Sequence, residues 1–183
     1  KIKGVVDASL PTRTLVPTDA KRVDLKGLHL YPGLIALNTG MGLVEIEAVR
    51  STRDSAEVGE FTPDVRSWLA VNPDSELLPV ARANGVAYFE PVPEGGVVAG
   101  QSGLVALTGW TTEQMAFKKP MALHVYWPAA GLDTTSKERA RNKEKWKSLE
   151  EQDKERREKL KALDDFFQEA RAYAKARDAA KDD

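Results

Sequence analysis

Few side chains in this chain of 183 residues combine the type and the position that chemistry requires. It has no cysteine and two histidines, His29 and His124, which excludes thiolate nucleophiles, disulfides and structural Cys-zinc sites. Neither histidine has an Asp, Glu or second His at a ligand-like spacing, so both read as structural, His124 as a hydrogen-bonded group within a strand. The remaining polar candidates stand beside apolar runs. Asn38-Thr39-Gly40 closes "LHLYPGLIAL", Glu90 closes "VAYFE", and Gln101 and Ser102 lie in the glycine-rich "GGVVAGQSG". Arg50 and Arg53 in "AVRSTRD" could grip a substrate carboxylate with their forked donors. The plainer reading pairs them with Asp54, Glu57 or Asp64 and is preferred. Glu90 could serve as an acid or base at a pocket mouth; a structural role, such as capping a neighbouring loop, is the preferred reading. The glycine-rich run lacks both GxGxxG and GK[ST] spacing, and no G-x-S-x-G elbow surrounds Ser102, which argues against a phosphate loop and a serine nucleophile.

These candidates need elements to position them. Up to about Leu34, short β-type runs ("KIKGVV", "KRVDLKGLHLYPGLI") flank a Pro/Ser/Thr-rich loop. The chain then takes on β/α texture. In "VNPDSELLPVARANGVAYFE", Asp74 or Ser75 can cap a helix that tolerates Pro79 only in its first turn. Asn84-Gly85 stops that helix, and a buried strand ends at Glu90. "GGVVAGQSG" is expected as a loop, with strands near Leu104–Leu107 and in "MALHVYW". From Thr134 onward the charge pattern predicts one long helix, or two with a kink, capped by Thr134, Thr135 or Ser136. Its seam of Leu160, Leu163, Phe167, Ala170 and Ala174 suits docking. The expected divisions are 1–34, 35–133 and 134–183.

Net charge is −1, which gives no electrostatic reason to expect nucleic acid or an anionic membrane as partner. The uncharged windows Gly27–Val44 and Gly95–Thr112 carry too many glycines and polar groups to read as membrane spans. The chain opens on Lys1 without methionine or an apolar signal core. The compartment is therefore unknown: a soluble protein is expected, with export to a periplasm left open.

"KRVDLKGLHLYPGLI" resembles the lead-in segment of the amidohydrolase superfamily, with Asp24, Gly27, Pro32, Gly33, Leu34 and Ile35 matching a DxxGxxxxPGLID pattern. The stretch from Gly42 to Leu107 is similar to the imidazolonepropionase-like subgroup, and the likeness extends over about Lys1–Pro128. The resemblance implies an α/β chain: a small β-sandwich portion, the first strands of an incomplete (β/α)₈ barrel, and a long charged C-terminal helix. It also implies metal-dependent hydrolysis of amide or other C–N bonds, with a zinc-like divalent metal activating water. In the family, D-x-H-x-H follows PGLI and its histidines bind metal; here Asn38 and Gly40 occupy those two positions. Neither supplies the imidazole such a metal prefers. No catalytic residue and no metal ligand is therefore assigned within this chain. Asn38, Thr39, Glu90, Gln101, Ser102, Arg50 and Arg53 are expected to line a pocket. The metal would be held mainly by residues elsewhere, on a complementary chain or segment or through a self-dimer. The alternative is a non-catalytic binding or assembly protein that has lost its first metal site.

Overall fold

The computed structural model describes residues 19–21 and 23–181. The chain forms two units, Lys1–Pro32 and Gly33–Asp183. Within the first, the expected strand at Lys1–Val6 lies outside the described residues. Residues 23–32 carry a turn in which Lys26 and Gly27 take positive φ, closed by the Leu28 amide donating to the Leu25 carbonyl.

The second unit is built on β1 (Leu34–Thr39), β2 (Val86–Pro91), β3 (Val98–Ala106) and β4 (Ala116–Val125), which lie side by side in that order. β1 and β2 are parallel; β2–β3 and β3–β4 are antiparallel. The parallel pair needs a crossover, supplied by α1 (Ser67–Ala70) and α2 (Leu77–Ala83). α2 forms where the sequence places it. The Ser75 hydroxyl accepts from the Leu77 amide, Pro79 lies in the first turn, and Gly85 leaves the helix at φ +88°. This α/β chain with a mixed four-stranded sheet and a long C-terminal helix has the expected fold class.

The crossover is held down by a core of Leu43, Trp68, Val71, Leu78, Phe89, Val105, Leu107 and Met115. Phe89 and Val105 face each other across the β2–β3 pair and are almost fully buried. Each such side chain contributes roughly 1.5–3 kcal/mol of burial.

Two expectations need correction. "VAGQSG" is not a loop but the first two-thirds of β3. Its glycines are there for close approach: a Cβ on Gly100, which has φ +124°, would come within 2.7 Å of the Val65 side chain. A Cβ on Gly103 would meet the Trp68 ring at 3.0 Å. The segment 55–66 therefore lies along β3 almost as a further strand, with bridges Phe61–Val98 and Arg66–Gln101.

The second correction concerns the terminal helix. α4 spans Leu149–Ala179, so 134–148 is a loop and not its first turns. Ser148 wins the start because it forms a capping box with Glu151: the serine hydroxyl accepts from the Glu151 amide, and that carboxylate accepts from the Ser148 amide. Thr134, Thr135 and Ser136 do not cap it. The seam docks only through its first part. Leu163 is buried with Val97 and Val98, while Phe166 and Phe167 pack beside Phe61. Ala170, Tyr173 and Ala174 are exposed.

Candidate functional site

The carboxyl end of β1 is where barrel-type chemistry would be placed. Asn38 takes a left-handed conformation there, φ +53°, at a shift of register between Ala36 and Thr39. Asparagine tolerates this region better than most residues. Its side chain is exposed and has no hydrogen-bond partner among the described residues. The Thr39 hydroxyl accepts from the Met41 amide, and the Gly40 carbonyl accepts from the amides of Leu43 and Val44. This tripeptide is therefore a strand-ending bulge and turn. An open cavity of about 520 Å³ lies beside it, lined by Thr39, Gly40, Val44, Arg53, Val80 and Glu94 among others.

The seven sequence-derived candidates divide into groups. Thr39 and Arg53 share that cavity. Arg53 pairs with Glu47 at 3.6 Å, not with Asp54, Glu57 or Asp64, because the turn at Arg50–Thr52 directs it back across its own loop. Arg50 lies exposed in that turn and does not line the cavity. Gln101 is spent on structure: its side-chain amide donates to the Pro63 carbonyl at 2.8 Å, and its backbone amide to Val65. It pins 55–66 to β3.

Glu90 and Ser102 come together, joined by His124. The Ser102 hydroxyl, fully buried, donates to Glu90 Oε1 at 2.6 Å. The same oxygen lies 3.6 Å from His124 Nε2. That nitrogen is buried without a hydrogen bond, so the hydrogen-bonded histidine expected from the sequence is not realised at Nε2. The three residues come from β2, β3 and β4. The carboxylate is the middle member. A serine nucleophile needs imidazole as its immediate base, which this order does not provide. The arrangement gives a buried carboxylate one donor and orients it, a structural role for Glu90. Period-two spacing along β3 and β4 was the only sequence signal that could have suggested the convergence.

The residues at the β1 end do not suit a catalytic divalent metal. Asn38 offers one neutral oxygen, exposed, and Gly40 offers no side chain. Among the described residues no three His, Asp or Glu side chains group as metal ligands would. Tyr126 donates to the Pro93 carbonyl at 3.0 Å, and burial, with the nearby Glu94 charge, raises its phenol above the ordinary range.

No protein-family model and no curated protein matches this chain. A solved structure does: an amidohydrolase from Thermotoga maritima MSB8, at TM-score 0.69 and 22% identity. The alignment covers 93% of this chain but 42% of that one. At this identity the likeness establishes the fold. The chain has the fold of part of an amidohydrolase and spans less than half of that protein's length. No helix among the described residues is long and apolar enough to cross a membrane.

Proposed function

We propose that this chain is the N-terminal part, or a subunit, of an amidohydrolase-like protein that hydrolyses amide or other C–N bonds. The observation that carries this reading is the asymmetry of the structural match, nearly all of this chain against 42% of an amidohydrolase. The remaining barrel would come from another chain, another segment or a second copy. The open side of the sheet supports this: among the described residues β1 is an edge strand, and its Leu34, Ile35 and Leu37 are each more than half exposed. An apolar edge of this kind is seldom left open. In this reading the chain supplies fold and pocket wall, with Thr39, Gly40 and Arg53 at the cavity. Any metal, and the imidazolonepropionase-like specificity, would depend on residues elsewhere.

A second reading is favoured by the β1 end itself. Asn38 and Gly40 make a turn where the resemblance places two histidines, which suits a relative kept for binding or assembly. Denaturing intact-mass analysis of the natively purified particle, with metal analysis and a panel of amide substrates, separates the two. A second polypeptide or longer product with bound metal and turnover would support the hydrolase. A single species near 20 kDa without turnover would sink it in favour of the non-catalytic relative.

A further inference from the structure

The loop 134–148, expected as helix, has a composition that its surroundings do not neutralise. It carries Lys137, Arg139, Arg141, Lys143, Lys145 and Lys147 against Glu138 and Glu144. Its shape is fixed by bonds to its own ends. Gln152 Nε2 donates to the carbonyls of Asp133 and Lys147, the Asp133 amide donates back to Gln152 Oε1, and the Trp146 indole donates to the Thr135 carbonyl at 2.8 Å. The result is a cavity of about 500 Å³ lined by Trp146, Arg139, Arg141 and Lys145 among others. This falls within the size range of small-ligand sites.

Several of the charges nearby are already committed. Lys147 pairs with Glu155 at 2.5 Å, Asp153 holds Arg156 and Arg157, and Glu151 caps α4. Asp133, the carboxylate on the cavity wall, accepts from the Thr135 amide, and hydrogen bonding there keeps its carboxyl below the ordinary range. Among the described residues Arg139, Arg141 and Lys145 have no carboxylate within 4.0 Å. Three unneutralised cations thus converge on one concave surface against one anion. Lys143 lies in the same loop but off the cavity wall.

From this juxtaposition we infer a binding site for a small polyphosphate, in free form or as the phosphate portion of an ester. A single carboxylate would satisfy one guanidinium; three cations in one cavity call for several negative charges on adjacent centres. Phosphate groups supply that density, with about −1.5 to −2 charge and three acceptor oxygens on a terminal group at neutral pH. Arginine presents the donor geometry that matches them. The site is independent of the β1 end and of the hydrolase reading.

The test is calorimetric titration of the 183-residue chain with inorganic triphosphate at fixed ionic strength. Saturable one-site binding is expected. R139Q, R141Q and K145Q should each weaken it roughly tenfold or more, since a hydrogen bond to a charged group contributes about 1.5–3 kcal/mol. K143Q, the same charge change off the cavity wall, should weaken it less than about twofold. All four positions are exposed, and unchanged circular dichroism should confirm that the variants fold. No saturable heat, or equal weakening by K143Q, would overturn the site. Citrate binding as tightly as triphosphate would overturn the phosphate assignment. A single-stranded oligonucleotide that outcompetes triphosphate at equal phosphate concentration would overturn the small-ligand assignment.

Discussion

Replacing Ser102 with alanine removes one oxygen from the interior and leaves Glu90 without its donor. Ser102 is fully buried and Glu90 is 7% exposed, so little water can take the hydroxyl's place. The bond is short, 2.6 Å, and its acceptor is a carboxylate. Hydrogen bonds to charged groups contribute about 1.5–3 kcal/mol, and the void left by one oxygen adds little. S102A should therefore destabilise the protein by about 2–3 kcal/mol. Urea unfolding followed by tryptophan fluorescence reads this as a lower midpoint at unchanged slope. The companion variants E90A and S102A/E90A complete a cycle. Once the carboxylate is gone the serine loses its main partner, so S102A should cost at least about 1 kcal/mol less in the E90A background. A loss below about 0.5 kcal/mol for S102A, or strict additivity, would refute the claim that this pair holds the carboxylate in place.

At the β1 end, N38G should be at least as stable as the parent and N38V should lose about 1–2 kcal/mol, because φ is positive there; equal midpoints for the two would show that the conformation is not held in solution. L163A should cost about 2–4 kcal/mol and release α4 to protease, whereas L149A, at a position 49% exposed, should change stability by less than about 1 kcal/mol. S148A should cost about 1 kcal/mol of α4 stability. Its partner Glu151 is held below the ordinary carboxylate range by hydrogen bonds from Ser148, so the stability it lends is present above the unfolded-state pKa. That contribution is lost as pH falls through the lower folded value, and E151Q should flatten this acid limb in a pH series of melts. Tyr126 behaves oppositely. Its phenol is raised by burial, so its contribution is present below about pH 10 and lost as pH rises through the folded value; Y126F should remove that alkaline loss.

Much of the architecture could be read from residue order. Ser75, Pro79 and Gly85 mark α2 because each acts through local backbone geometry, and the strand ending near Glu90 follows from a buried run bounded by turn residues. The absence of cysteine likewise needed no coordinates to exclude thiolate nucleophiles, disulfides and Cys-zinc sites. Other features depended on what lay across the fold. β3 reads as a glycine-rich loop until Val65 and Trp68 are placed against Gly100 and Gly103, whose missing side chains then become a packing requirement. The start of α4 rested on a competition between caps that Ser148 wins through Glu151, turning 134–148 into a cationic cavity instead of about four helical turns. Glu90, Ser102 and His124 are separated along the chain and meet only because β2, β3 and β4 pair in a particular register. Local chemistry sets caps, turns and the residue types on offer. Which groups share one buried space is set by strand pairing and packing, where distance along the chain carries no information.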